Sequence, residues 1–164
     1  MAVEIERKFL VSGEGWRAGA VGVYYCQGYL NRDPERTVRV RIAGDRAYLT
    51  IKSKAVGLSR LEFEYEIPVT DARELLQLGD RPPLEKTRYR LPQGAIVWEI
   101  DEFAGRNQGL IVAEVELTST TQTFEYPDWL GPEVSHDPRY TNASLVDFPF
   151  SQWEQQLSGD PAHT

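Results

Sequence analysis

Apart from Arg7 and Leu10, charged and apolar residues alternate along Val3 to Val11, near the start of the chain. In an extended strand this period places Glu4, Glu6 and Lys8 on one face and the apolar residues on the other. Two neighbouring carboxylates repel each other unless a cation lies between them, and hard divalent cations prefer oxygen ligands. A solvated edge strand would have the same pattern, so its meaning depends on the rest of the chain.

The sequence predicts seven further strands, most of them with the same two-residue period. We expect them at 23–30, 36–42, 47–54, 60–67, 84–91, 96–103 and 110–118. Gly44 and Asp45 are the turn pair of a predicted hairpin. A helix is expected to begin near Thr70, with Thr70 or Asp71 as its N-cap, and shorter helical segments are expected at 142–146 and 149–156.

The polar faces of the predicted strands carry nine basic and nine acidic side chains, grouped by sign from strand to strand. The basic residues are Lys8, Arg39, Arg41, Lys52, Lys54, Arg60, Lys86, Arg88 and Arg90, and the acidic residues are Glu4, Glu6, Glu62, Glu64, Glu66, Glu99, Asp101, Glu114 and Glu116. An antiparallel sheet with one face in water explains the alternation. It does not explain why most strands are nearly purely acidic or purely basic.

Eight antiparallel strands can close into a barrel whose interior this charged face would line. We therefore predict an α+β, mainly antiparallel β fold: a closed or nearly closed eight-stranded β-barrel forming a tunnel, with a few short helices outside. The apolar face would point outward, covered by the predicted helix, by the aromatic tail or by a partner subunit. Dehydrating so many charges is costly, so the interior must hold water, ions or a charged ligand. Carboxylates that bind a metal beside bases that bind a polyanion predict metal-dependent polyphosphate chemistry.

The composition is that of one ordinary globular domain. The chain has 164 residues, 41% of them hydrophobic, and we expect a single domain over 1–156 with a disordered tail at 157–164. A net charge of −7 disfavours unspecific binding to nucleic acid or to anionic membranes. Cys26 is the single cysteine, so no internal disulfide is expected, and the absence of a long apolar run predicts a cytoplasmic protein.

Several short motifs resemble one known family when they are taken together in chain order. They are Glu4-Ile5-Glu6-Arg7-Lys8, Gln27-Gly28-Tyr29-Leu30, Arg39-Val40-Arg41, Thr50-Ile51-Lys52, Glu62-Phe63-Glu64, Glu85-Lys86-Thr87-Arg88-Tyr89, Glu99-Ile100-Asp101, Glu114-Val115-Glu116 and Asp137-Pro138-Arg139-Tyr140-Thr141-Asn142. The first resembles the ExExK signature of the CYTH domain, or triphosphate tunnel metalloenzyme, superfamily. The ordered set covers roughly residues 3 to 146.

The resemblance implies a tunnel enzyme that acts on triphosphates with Mg²⁺ or Mn²⁺, and it implies a role for each matching residue. The implied metal ligands are Glu4, Glu6, Glu114 and Glu116, with Glu62, Glu64, Glu99 and Asp101 supporting the metal or its water. The implied phosphate-binding residues are Lys8, Arg39, Arg41, Lys52, Lys86 and Arg88. Tyr29 resembles a tyrosine that works with the signature lysine in small prokaryotic members that cleave inorganic triphosphate, so Lys8 and Tyr29 are the predicted catalytic pair.

The substrate is the least constrained part of this prediction. Inorganic triphosphate is preferred because no separate set of residues is evident for a base, a ribose or a thiazolium ring. Thiamine triphosphatase, nucleoside triphosphatase and class IV adenylate cyclase activities remain alternatives, as does a non-catalytic sensor of polyphosphates or nucleotides. The expected partner is a small polyphosphate, with no nucleic acid or membrane, and the protein is expected to be a monomer or a homodimer.

Overall fold

Nine strands and two helices make up most of the computed structural model, which describes residues 3–153. The strands are β1 (Val3–Val11), β2 (Gly22–Asn31), β3 (Arg36–Ala43), β4 (Arg46–Ser53), β5 (Ser59–Ile67), β6 (Leu84–Gln93), β7 (Ile96–Phe103), β8 (Ile111–Glu116) and β9 (Leu130–Glu133). The helices are α1 (Val69–Gln77) and α2 (Asn142–Asp147), and 3₁₀ turns lie at Gly15–Arg17, Gly105–Asn107 and Pro138–Tyr140. A further helical turn covers 150–153.

The first eight strands form a ring in the order β5-β4-β3-β2-β6-β7-β8-β1, and every pairing is antiparallel. The ring closes where β1 pairs with β5, through Val3 with Leu61, Glu4 with Arg60 and Ile5 with Ser59. The expected antiparallel tunnel fold is therefore confirmed. All eight predicted strands are present, and their ends differ from the predicted ones by at most two residues.

The ninth strand shares an edge of β1 with β5. Phe9 pairs with Ala113 of β8 on one edge and with Glu133 of β9 on the other. On the edge of β1 that faces away from β8, Val3 to Ile5 pair with β5, and Phe9 and Val11 pair with β9. Strand β9 therefore completes the wall beyond the end of the pairing between β1 and β5. The sequence did not predict β9, because a four-residue segment containing Gly131 and Pro132 lacks a strand pattern.

The hydrophobic core lies outside the ring, where three layers cover its apolar face. Helix α1 packs against β3 and β4, where Ala72, Val40 and Ala47 are fully buried. A side chain at Gly28 would place its Cβ 3.0 Å from Leu76 of α1, so the glycine allows the helix to lie close to β2. This helix begins at Val69 after Pro68, without a side-chain cap, so the predicted N-cap at Thr70 or Asp71 is wrong.

Aromatic residues of the C-terminal part, together with Trp16, cover other parts of the outer face. Phe124 and Trp129 each lie edge-on to Trp98 of β7, with ring centroids 5.4 Å apart. On another side, Trp153 and Leu145 are buried with residues of β6, β7 and β8. These contacts explain how a ring with a charged interior is stable, since the apolar area removed from water lies on its outside.

The predicted tail at 157–164 lies outside the described residues, as do the last three positions of the predicted 1–156 domain. None of the helices within residues 3–153 combines the length and the apolar character needed to cross a membrane.

Candidate functional site

The ring encloses a cavity of about 710 Å³, and charged side chains dominate its wall. Fourteen of the eighteen charged residues predicted to face the interior line this cavity. They are Glu4, Glu6, Lys8, Arg39, Arg41, Lys52, Arg60, Glu62, Glu64, Arg88, Arg90, Glu99, Glu114 and Glu116. The alternation of each strand therefore brings acids and bases from all sides of the ring to one space.

Four of the predicted interior charges do not line the cavity. Lys54 lies beyond the end of β4, is exposed and is 3.6 Å from Glu35, and Glu66 is exposed near Arg46. For these two residues the predicted position inside the tunnel is wrong. The alternating pattern continues in the sequence beyond the last residue of β4 in the case of Lys54, and up to the rim of the ring in the case of Glu66. The other two, Lys86 and Asp101, are buried in the wall itself.

Asp101 forms the centre of a buried ion cluster with Lys86 and Arg88. One of its carboxylate oxygens accepts from Lys86 Nζ at 2.7 Å, and the two oxygens together accept from Arg88 Nε and Nη2 at 2.7 and 2.8 Å. Burial alone would raise the pKa of Asp101, but Arg88 and Lys86 lower this pKa to about 2. Burial lowers the pKa of Lys86, and the charge of Arg88 acts in the same direction. The cluster holds the guanidinium of Arg88 in one orientation at the cavity wall.

The carboxylate of Glu4 lies between two cations and a second carboxyl group. Lys52 Nζ and Arg60 Nε are 3.1 and 3.3 Å from Glu4 Oε1. Burial raises the pKa of Glu4, but a hydrogen bond from Glu62 and the charges of Lys52 and Arg60 outweigh it and lower this pKa to about 2. Burial and the same hydrogen bond raise the pKa of Glu62 to about 7. Protonation of one carboxyl group therefore affects the pKa of the other.

A second pair of carboxyl groups, Glu6 and Glu114, behaves in the same way. Burial raises the pKa of Glu6 well above its usual value, and the charge of Glu114 and a hydrogen bond with it act in the same direction. Burial also raises the pKa of Glu116, together with the charges of Glu4 and Glu99. Several carboxyl groups that raise one another's pKa are the donor set that a hard divalent cation suits.

Cationic side chains also lie beside these carboxylates. Arg60 lies 3.6 Å from Glu6 in addition to its contact with Glu4. Among residues 3–153, no group of three or more His, Cys, Asp or Glu side chains is arranged as a metal site. The four predicted metal ligands nevertheless line the same cavity, and their role stays a prediction.

The predicted phosphate-binding cations have different partners. Arg39 Nη2 donates to Thr50 Oγ1 at 3.2 Å and lies 3.7 Å from Glu64. Arg41 Nε donates to Gln27 Oε1 at 2.8 Å. Of the six predicted phosphate-binding residues, the buried Lys86 alone does not line the cavity.

The predicted catalytic pair lines the cavity beside the C-terminal segment. Lys8 Nζ donates to the backbone oxygen of Tyr140 at 3.1 Å, and Asn142 of α2 also lines the cavity. Tyr29 lines the cavity and packs against the apolar cluster that holds Tyr140 and Trp153. The segment from Tyr140 to Asn142 therefore serves both as an anchor on the outer core and as part of the cavity wall.

Sequence reasoning missed uncharged residues of the site, because it searched the strands for charges. Tyr25 and Gln27 lie on the inner face of β2 with Tyr29, and Thr50 bridges Arg39 and Glu64 from β4. Counting back from Tyr29 in steps of two residues along β2 would have identified Gln27 and Tyr25 as inward-facing.

Both the sequence and the structure are similar to those of known proteins. The model of the CYTH domain matches residues 2–146. The chain is 47% identical over 156 residues to an inorganic triphosphatase of Acetivibrio thermocellus, covering 94% of this chain and 100% of that protein. It is 40% identical over 149 residues to an inorganic triphosphatase of Nitrosomonas europaea, covering 87% and 96%. A solved inorganic triphosphatase structure matches with a TM-score of 0.63 at 36% identity, covering 89% of this chain and 95% of that one.

Proposed function

The chain belongs to the CYTH domain family, and we propose that it hydrolyses inorganic triphosphate to pyrophosphate and phosphate in a metal-dependent reaction. Two relatives at 47% and 40% identity, both matched over nearly their whole length, are named inorganic triphosphatases. The family implies a divalent metal ion, and we propose Mg²⁺ or Mn²⁺ because both accept carboxylate and phosphate oxygens.

One observation carries this proposal: a single cavity holds bases from β3, β4 and β6 and carboxylates from β1, β5 and β8. A triphosphate bound to a divalent metal needs both kinds of group within a few ångströms of one another. Phosphoryl transfer requires little covalent help from the protein, so positioning and charge neutralisation account for most of the catalysis.

Each group of residues has a proposed part in this reaction. Glu4, Glu6, Glu114 and Glu116 would hold the metal, which would supply neutralisation of the triphosphate charge and activation of the attacking water. Glu62, Glu64 and Glu99 would orient this water, and Asp101 would act through Lys86 and Arg88. Arg39, Arg41, Lys52 and Arg88 would hold phosphate oxygens from the surrounding strands, with Lys86 contributing its charge from within the wall.

Lys8 and Tyr29 would act on the leaving group. When water attacks the terminal phosphorus and the P–O bond breaks, charge accumulates on the bridging oxygen of the departing pyrophosphate. Tyr29 would donate a proton to this oxygen, and Lys8 would stabilise the remaining charge. Both side chains line the cavity, which is the minimum that this pairing requires.

Product analysis with several substrates tests the function directly. The purified protein is incubated with inorganic triphosphate, ATP or thiamine triphosphate, each with Mg²⁺, with Mn²⁺ or with a chelator. We expect phosphate and pyrophosphate in equal amounts from inorganic triphosphate, dependent on the metal, and much slower release from the organic substrates. Faster turnover of ATP or thiamine triphosphate would contradict the substrate assignment, and binding without turnover of any substrate would favour a sensor.

A further inference from the structure

The guanidinium of Arg41 is held by a neutral group. Its Nε donates to Oε1 of Gln27 at 2.8 Å, and the two residues are direct neighbours across β2 and β3. Residues opposite each other in an antiparallel pair point to the same face, which here is the inside of the ring. Gln27 is fully buried, whereas Arg41 lines the cavity. Gln27 thus fixes Arg41 from within the wall and leaves the end of its guanidinium directed at the cavity.

Neighbouring cations have a carboxylate within 4.0 Å. Arg88 donates two hydrogen bonds to Asp101, and Arg39 lies 3.7 Å from Glu64. Within the described part of the chain, no carboxylate oxygen lies within 4.0 Å of a side-chain nitrogen of Arg41. Among residues 3–153, Gln27 is also the one residue that accepts a hydrogen bond from the side chain of Arg41.

Within residues 3–153, the charge of Arg41 therefore has no carboxylate paired directly with it, and Asp101 acts on it only from a longer distance. The ring of Tyr25 lies 5.0 Å from the guanidinium carbon of Arg41 and 5.1 Å from that of Arg88, so both cations contact the same neutral ring. Burial, together with the charges of Arg39 and Arg88, lowers the pKa of Arg41 to about 10. Arg41 is still protonated at neutral pH, and a bound anion would relieve its unfavourable position.

We propose that Gln27 is a positioning residue for substrate binding: its neutral carbonyl fixes the guanidinium of Arg41 without cancelling its charge, and so keeps both Nη groups for a phosphate of the substrate. A carboxylate at the same position would orient Arg41 equally well, but it would compete with the phosphate for its charge. The planar fork of an arginine binds phosphate best when its two terminal nitrogens have no other acceptor. This inference rests on the proposed function, because it takes a polyphosphate as the ligand.

Two substitutions separate orientation from charge. Gln27→Glu keeps an oxygen acceptor for Arg41 Nε and adds a negative charge, and Gln27→Met keeps the size of the side chain but removes the acceptor. Gln108→Glu, at an exposed position after the 3₁₀ turn at Gly105–Asn107, controls for the added charge. For each variant we would measure the Kd for inorganic tripolyphosphate by calorimetry in a chelator, KM and kcat with the metal, and the urea midpoint of unfolding.

We expect Gln27→Glu to raise Kd and KM about 10- to 100-fold, which corresponds to the loss of one charge-assisted hydrogen bond. Its unfolding midpoint should equal or exceed that of the wild type, because the new carboxylate compensates Arg41. Gln27→Met should raise Kd and KM less and should lower the midpoint, because Arg41 Nε loses its buried acceptor. Gln108→Glu should behave as the wild type in every measurement.

A Gln27→Glu protein that binds tripolyphosphate as tightly as the wild type would overturn the inference. So would a parallel loss of stability and affinity in both Gln27 variants, since that is what a purely structural residue produces. If Gln27→Glu does not fold, an unchanged KM of Gln27→Met would by itself overturn the inference. If the wild type binds tripolyphosphate without hydrolysing it, only the proposed function is contradicted, because the Kd values of the variants still test the inference about Gln27. If the wild type does not bind tripolyphosphate, both the proposed function and the inference are overturned.

Discussion

At the scale of single residues, removal of the Tyr29 hydroxyl tests whether this residue transfers a proton or only forms part of the cavity wall. Tyr29→Phe removes only this hydroxyl from the cavity wall. We expect KM for inorganic triphosphate to be nearly unchanged and kcat to fall about 10²-fold, because general acid catalysis contributes on the order of 10² to 10⁴ in rate. Steady-state kinetics over a range of pH measures both, with Tyr48→Phe, another tyrosine of the wall, as the control. An unchanged kcat and pH profile would assign the leaving group to Lys8 and the metal.

Asp101 offers a second test at this scale, because two buried cations depend on it. Asp101→Asn would leave Lys86 and Arg88 without their counter-ion and should lower the free energy of unfolding by about 3–5 kcal/mol. Urea denaturation in a chelator measures this, with the exposed Asp45→Asn as the matched control. Equal stability of the two variants would show that the cluster is not structural.

The same carboxylate predicts part of the acid sensitivity of the protein. The pKa of Asp101 is lowered in the folded state, to about 2, so its contribution to stability is fully present above its unfolded pKa and is lost as the pH falls towards 2. Between about pH 4 and pH 2, the wild type should therefore lose more stability than Asp101→Asn. Urea midpoints measured across this window check the difference, and parallel curves would contradict it.

At the scale of elements, β9 depends on a close approach to β1 that only glycine allows. A Cβ at Gly131 would lie 2.9 Å from the backbone oxygen of Leu10, so Gly131→Ala must displace β9 from its edge. We expect a loss of about 1–3 kcal/mol in the free energy of unfolding and faster hydrogen exchange in β9. Gly15→Ala is the control, since a Cβ at Gly15 meets no atom within 4 Å. Equal hydrogen-exchange rates of β9 in Gly131→Ala and Gly15→Ala would mean that the pairing of β9 with β1 tolerates the added Cβ.

At the scale of the whole molecule, mutual repulsion among the carboxylates should couple metal binding to stability. A divalent cation at about 100 times its Kd should stabilise the folded protein by about 2.7 kcal/mol and raise Tm by about 5–10 °C. Glu116→Gln removes one carboxylate whose pKa is raised by burial and by neighbouring acids. Its metal-free Tm should equal or exceed that of the wild type, and the rise with metal should be smaller. Calorimetry at constant ionic strength measures both, with the exposed Glu74→Gln as the control, and identical metal responses would argue against Glu116 as a ligand.

The ends of the strands, to within two residues, and the direction of most of their side chains were predictable from sequence, because the two-residue period is a local property of an extended chain. Arg39 and Arg41 face the cavity while Val40 packs against α1, as the alternation predicts. Strand β9 was not predictable in this way. Its four residues pair with β1 only because the loop before them, anchored by Trp129, brings them to a free edge.

The sequence by itself determined which face of each long strand lies inward, and the order of its motifs determined the family. The tertiary structure decided which inward charges are matched with each other. Asp101 compensates Lys86 and Arg88, Arg60 lies beside Glu4 and Glu6, and Arg41 has Gln27 in place of an acid. The physical reason is that alternation fixes the face of a side chain within its own strand. Its partners depend on which strands become neighbours around the ring, and on the register between segments that are far apart in the chain.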